Sequence, residues 1–294
     1  MSRDLQGYGA TPPDVTWPNG ARVAVSLVVN VEEGAERSLL DGDERNESVY
    51  EAREEVVGAA DPCMTSHFGY GPRRGYWRIA ETLDAFDAKA TFSTCGRAAE
   101  ATPWLIRDVI ARGHEVSCHG WRWETHAGMD ETTERQIIAR THDTLSRIAG
   151  TAPGGWHTRS AATVNTRRLL IEHGGFDYDS DAYDDDLPYV LPGSGSRPHV
   201  VLPYAFDTND MRFQPGGGFV TAQDFSGYCL AAYDRLLKEG RGAMMSVGLH
   251  LRLIGKPARI EGLTQFLAGV QARGGAWIAP RRDIAAHWRA FTDT

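Results

Sequence analysis

Residues 22–31 read RVAVSLVVNV, a run dominated by apolar side chains of which most are β-branched. A strand that faced water on one side would alternate; this one does not, so it is expected to be covered on both faces, as in a parallel sheet flanked by helices. The rest of the chain fits that constraint. Strand-type runs are predicted at 89–96, 114–120, 154–160, 176–183, 199–207, 243–255 and 276–280, and amphipathic helical segments separate most of them. The helices are expected near 75–86, over 102–113 with Thr102 as N-cap and Gly113 as stop, from Asp130 to Gly150, over 165–174, around 223–239, near 258–272 and at the end of the chain. Eight strands with intervening helices predict an α/β fold, a single irregular (β/α)7 or (β/α)8 barrel spanning residues 1–294, with a doubly wound open sheet as the alternative.

Two stretches interrupt the alternation. Residues 34–72, which contain DGDERNESVYEAREE, are too polar for a core and too long for a tight turn, and 184–198 carry three prolines and two glycines. Loops of this length are lids, binding loops or subunit contacts, the last of which would make the protein a homo-oligomer, or else simply disordered segments. Acidic residues outnumber basic ones 39 to 31, for a formal charge of −8 without a basic stripe, which argues against nucleic acid as a partner. No stretch of about 18 uncharged apolar residues suggests a membrane span. The four cysteines, Cys63, Cys95, Cys118 and Cys229, are widely spaced, and with a polar amino terminus they suggest free thiols in the cytoplasm.

In a barrel of this type the active site lies at the carboxyl ends of the strands. The residues just beyond the predicted strands are Glu32 and Glu33, Cys95, His119 with Arg122, His157 with Arg159, Asp179 with Asp181, Asp207 with Asn209, and His250 with Arg252. Titratable groups therefore recur along one rim. Successive strand residues point to opposite sides, so only one of the two glutamates can face the barrel axis, and Glu33 is favoured over Glu32. Trp121 and Trp123 flank Arg122, which suits a flat, polar ligand, although both indoles could equally be core. His250 lies in an apolar run, SVGLHLRLIG, where a satisfied core histidine is the competing reading. GYGPRRG (69–75) lacks the Lys-Ser/Thr ending and the preceding strand of a phosphate loop.

The order of these motifs resembles the polysaccharide deacetylase superfamily: an acidic pair after strand one (VEEG), a histidine motif after strand three (HGWRW), an arginine segment on strand four and a late SVGLH element. The resemblance covers nearly the whole chain and is strongest to the allantoinase branch, through VNVEEG, CHGWRW, YDSDAYDDDLPY, PYAFDTNDMRF and SVGLHLRLIGKPARI. It implies an irregular barrel that hydrolyses C–N amide bonds, usually with a divalent metal held by an acid of the first motif and two histidines four apart. The corresponding positions here are Glu33, His119 and Trp123. An indole nitrogen donates a hydrogen bond and cannot ligate a cation. The resemblance to the branch thus implies no cofactor; the alternative is a rearranged divalent site drawing on His126 or His157. Two further departures, Gly69 where the branch has a glutamate and His157 where it has a tyrosine, leave the substrate open within its class.

Without an ion to activate water, a carboxylate must take the proton as water attacks. Hydantoins and imides suit that device better than simple acetamides, because a second acyl group stabilises the leaving nitrogen. The resulting expectation is a hydrolase of a small cyclic amide or ureide. In it Glu33 or Glu32 is general base, His119 orients the water or the carbonyl and His250 protonates the departing nitrogen. Arg122, His157, Arg159, Asp207, Asn209 and Arg252 read the polar edge of the substrate, Trp121 and Trp123 wall it, and Asp181 orients a partner side chain. The competing expectations are a metal-dependent deacetylase of N-acetylated sugars and a barrel that binds a ureide without turning it over.

Overall fold

The computed structural model describes residues 4–49, 51, 54–193 and 197–293. Its strands are β1 (Val23–Val31), β2 (Thr91–Thr94), β3 (Glu115–Cys118), β4 (Gly155–Trp156), β5 (Tyr178–Asp179), β6 (Tyr189–Leu191), β7 (His199–Val201), β8 (Ala243–His250) and β9 (Ala276–Ile278). They form one curled sheet in the order β6-β7-β5-β4-β3-β2-β1-β8, and β9 lies beside the first half of β1. All neighbours are parallel except β6 and β7. Every residue of β1 is buried, as its unbroken apolar run requires.

The curl closes between β7 and β8 without a regular ladder. Residues 203–209 cross that gap: Ser246 Oγ donates to the Pro203 carbonyl at 2.8 Å, Thr208 Oγ1 to the Ser246 carbonyl at 2.5 Å, and Gly248 N to the Thr208 carbonyl at 3.0 Å. From below, the fully buried Arg281 donates to Ser26, Ser180 and Ser246 and to the Leu202 and Pro203 carbonyls. The barrel is therefore irregular because one seam is stitched by side chains.

The helices are α1 (Pro62–Tyr70), α2 (Tyr76–Ala85), α3 (Gly96–Ala101), α4 (Pro103–Ala111), α5 (Glu131–Ala149), α6 (Thr166–His173), α7 (Ala222–Glu239), α8 (Pro257–Arg273) and α9 (Arg281–Thr292). Several expectations are corrected. The helix predicted near 75–86 starts at Pro62, inside the supposed 34–72 insertion. Asp61 caps it by accepting from Met64 N, and it runs on through a wider π turn at Gly71–Gly75. Thr102 does not cap α4 with its side chain; its hydroxyl donates back to the Ala98 carbonyl of α3. The 184–198 segment contains β6, and the strands at 154–160, 176–183 and 199–207 are only two or three residues long. Among the described residues no helix is long and apolar enough to cross a membrane.

Candidate functional site

β1 brings Asn30 to the rim and releases the chain into a tight turn, in which Ala35 N donates to the Glu32 carbonyl at 2.8 Å and Gly34 takes φ +92°. β3 delivers His119, and the next residue, Gly120, turns away at φ +79°, a backbone region that L side chains rarely adopt. β4 leads to His157 and Arg159, and β8 ends at His250. Around these ends lies a cavity of about 410 Å³, whose lining includes Asn30, Glu32, His119, Trp123, His157, Arg159, Tyr204, Asn209, His250 and Arg252. Arg45, Glu47, Ser48 and Glu51 of the polar insertion form part of its wall, and Tyr183, Phe206, Met211 and Leu253 supply an apolar part.

Glu32, not Glu33, faces the cavity. Strand alternation does not extend past Val31, where the turn begins, and Glu33 is directed outward against Gly71 of the π turn, where a Cβ would run into its carboxylate. Glu33 Oε2 accepts from Glu32 N at 3.2 Å and its Oε1 has no hydrogen-bond partner. Burial and the charge of Glu32 raise its pKa to about 7 against the pull of Arg252.

Glu32 is the centre of the arrangement. Its Oε1 lies 3.4 Å from His250 Nε2 and 3.6 Å from His119 Nε2, and its Oε2 accepts from Arg252 Nη1 at 2.7 Å. Burial would raise its pKa, but the charges on His250 and Arg252 outweigh that and hold the carboxyl well below the usual range. His250 is fixed from behind by Asp210, which accepts from its Nδ1 at 2.6 Å, from its backbone N at 2.8 Å and from Ile254 N at 2.9 Å. Burial would lower the imidazole's pKa; Asp210 and Glu32 overcome it and raise it to about 9. At neutral pH the site therefore holds an ionised carboxylate against a protonated imidazole. His119 Nδ1 lies 2.7 Å from the His157 carbonyl, which can only accept, so Nδ1 carries the proton and Nε2 is turned toward Glu32. His157, stacked on His119 at 5.0 Å, is kept neutral above all by burial.

Of the residues singled out from the sequence, Glu32, His119, Trp123, His157, Arg159, Asn209, His250 and Arg252 come together in the cavity lining. Glu33, Trp121, Arg122, Asp181 and Asp207 do not. Arg122 forks onto Asp43 at 2.5 and 2.6 Å and donates to the Glu36 carbonyl, so it fastens the insertion instead of reading a ligand. Trp121 packs on Gly96 under the guanidinium of Arg140. Asp207 accepts from the Tyr228 hydroxyl. Asp181 accepts from Thr158 N and Oγ1, both at 2.7 Å, and so holds the segment between His157 and Arg159. Within the cavity two arginines are already engaged: Arg159 with Glu47 and the Trp123 carbonyl, Arg252 with Glu32 and Glu51. Asp210 was missed, although it adjoins Asn209 in DTNDMRF; Glu47 and Glu51 were hidden in the polar insertion.

The residues present do not fit the three-ligand set that the resemblance implies. Trp123 offers a ring face to Arg159 at 3.5 Å and to Arg252 at 4.8 Å, and no lone pair. His250 is held by Asp210 and Glu32, and His126, paired through Nδ1 with Glu134 at 3.0 Å, does not line the cavity. Among the described residues no group of three or more His, Cys, Asp or Glu is placed to hold an ion.

A family model described as polysaccharide deacetylase matches residues 57–178. A Schizosaccharomyces pombe protein provisionally named a polysaccharide deacetylase is 35% identical, over 98% of this chain and 97% of its own length. Among solved structures, PuuE allantoinase is 42% identical with a TM-score of 0.93, covering 99% of this chain and 98% of that one. A protein of Pseudomonas aeruginosa PAO1, provisionally named a polysaccharide deacetylase, gives the same identity, TM-score and coverage.

Proposed function

The chain belongs to the polysaccharide deacetylase family and is a hydrolase of carbon–nitrogen bonds; on that premise we propose that it opens the ring of a small cyclic amide or ureide, an allantoin-like hydantoin or imide. The observation that carries the reading is the ionised Glu32 set 3.4 Å from a protonated His250 inside a cavity bounded on one side by the insertion. A cavity of about 410 Å³ is at the small-molecule end of the usual range. The similarity to an allantoinase supports the same substrate class.

In this reading water sits on the cavity side of Glu32 and His119, within reach of both, and attacks the ring carbonyl. Glu32 takes a proton as the C–O bond forms, and His250 gives its Nε2 proton to the ring nitrogen as the C–N bond breaks. The two transfers are coupled. The charge on His250 is the strongest of the influences that keep Glu32 a weak base, so the carboxylate regains proton affinity as His250 discharges. The proton taken from water then passes back to His250 across the short gap between them, which resets the site. Asp210 keeps the imidazole oriented throughout.

The test is a panel of allantoin, hydantoin, dihydrouracil, succinimide and chitooligosaccharides, each assayed with and without chelator on protein of measured metal content. Ring-opened product from a cyclic amide, unaffected by chelator, is expected. Product from the sugars alone, abolished by chelator, would overturn the proposal in favour of metal-dependent deacetylation. Thermal stabilisation by a ureide without product would leave only a binding barrel.

A further inference from the structure

Three carboxylates converge on one guanidinium in the wall of the cavity. Arg252 donates through Nη1 to Glu32 at 2.7 Å and through Nε to Glu51 at 3.0 Å, and Nη1 stands 3.8 Å from Glu33 Oε1. Its Cζ lies 4.7 Å from the centre of the Phe68 ring and 4.8 Å from that of Trp123, and only 2% of the residue is exposed. A buried cluster of negative charge needs a counter-charge, and space of this kind is where an ion would otherwise settle. Here the chain fills it. Two of the neighbours, Glu33 and Trp123, are positions at which the resemblance would seek metal ligands.

We propose that Arg252 is the resident cation of this site: through Glu32 it does what a bound ion does in metal-dependent members of the family, fixing the charge balance beside the reacting atoms and closing the space to a free ion. It is a positioning residue, acting on the substrate only through the carboxylate it holds. The planar fork explains why an arginine serves: it meets Glu32 and Glu51 through different nitrogens while its faces pack on two aromatic rings, a geometry that the point charge of a lysine cannot reproduce. Unlike an ion, this cation cannot be stripped by a chelator. The catalytic part of the inference rests on the proposed ring-opening reaction; the part concerning the ion does not.

The experiment therefore has two arms. In the first, R252A and R252K are assayed on the best cyclic amide of the panel, with melting curves taken in parallel. R252A is expected to lose kcat by roughly 10²- to 10³-fold with KM changed far less, R252K to fall between it and the parent, and guanidinium chloride at low millimolar concentration to restore part of the R252A activity. In the second, W123H and W123H/R252A are titrated with Co²⁺ alone and followed by calorimetry and visible absorption. The double variant is expected to take up one ion and W123H none. R252M, which keeps bulk between the two rings, replaces R252A in both arms if the smaller side chain does not fold, with the guanidinium rescue omitted. An unchanged kcat in the arginine variants, or equal Co²⁺ uptake by both titrated proteins, including none by either, overturns the proposal. If the parent opens no cyclic amide, the ring-opening reading fails while the Co²⁺ arm still decides the role of Arg252.

Discussion

Two pairs of acids lie at strand ends of this barrel, Glu32 with Glu33 after β1 and Asp179 with Asp181 at β5, and their electrostatics run in parallel. In each pair one member is held down by an arginine and a histidine: Glu32 by His250 and Arg252, Asp179 by His199 at 2.8 Å and a bidentate Arg167 at 2.7 and 2.9 Å, which bring it to about 2. In each the other member is pushed up to about 7 by burial and its neighbour's charge. They differ in what adjoins the ionised oxygen. Glu32 opens on the cavity and shares it with His119 and His250, whereas Asp179 is fully buried and is not among the residues that line that cavity. A perturbed carboxylate thus marks a buried charge network, and it becomes chemistry only where a reactant can reach the charge.

The sharpest way to break this contrast is to make the same kind of change in both pairs. E32Q leaves the buried Arg252 and His250 facing an amide and so costs stability as well; in the folded protein it is expected to lower kcat on the order of 10²–10⁴-fold, the usual weight of a general base. D179N leaves Arg167 and His199 facing an amide. It is expected to cost about 3–5 kcal/mol of stability in chemical denaturation, with kcat of the folded protein near that of the parent. If D179N lost activity as E32Q does while unfolding at the parent's midpoint, the two pairs would be functionally alike and the distinction would fall.

Much of this was legible in the sequence, and the failures share a cause. The unbroken run of β1 announced a doubly covered strand, and polar residues beyond successive strands announced the rim. The choice between Glu32 and Glu33 failed because alternation stops at Val31, where the backbone turns and its periodicity no longer points anywhere. Arg122 follows a strand end as His119 does, yet its partner Asp43 lies 79 residues away in an insertion whose path no local pattern gives. α1 was hidden because PCMTSHFGY has little amphipathic periodicity and buries only Phe68, although Asp61-Pro62 carries a helix-start signal. Arg281, which falls in the helix expected at the end of the chain, proves to be a buried stitch across the open seam, and nothing local distinguishes it from Arg282.

A smaller effect separates the two pairs in their dependence on pH. The pKa of His250 is raised to about 9 from an ordinary value near 6.5, so its contribution to stability is complete below about pH 6.5 and is lost as pH rises through about 9. Proton donation fails on the same limb. D210N removes the largest raising influence, so the alkaline limb of kcat/KM is expected to move down by roughly one to two pH units, with much less loss at pH 6. Asp179 behaves oppositely: its lowered pKa gives stability that is present above about pH 4 and lost as pH falls through about 2, so D179N should leave the alkaline limb in place. A pH–rate profile of the two variants checks this, and an alkaline limb that stays put in D210N would remove His250 as the proton donor.

The smallest expected effect lies where the second pair touches the cavity. Asp181 holds Thr158 beside His157, and two residues beyond Asp181 the chain supplies Tyr183, whose ring stacks on Phe206 at 4.1 Å with the planes 8° apart. Both rings are more than a third exposed at the cavity, and the Tyr183 hydroxyl is 3.5 Å from His157 Nε2. If the second pair only supports this wall, disturbing the stack should change how a substrate is held without touching proton transfer. An aromatic pair of this geometry contributes about 0.5–1.5 kcal/mol, so F206A is expected to raise KM by roughly two- to tenfold at constant kcat. The increase should be larger for a ring bearing an apolar substituent than for the bare ring, because Met211 and Leu253 continue the apolar wall. A fall in kcat with KM unchanged would mean instead that the stack reaches the reacting atoms through His157, and that the second pair has a path into the chemistry after all.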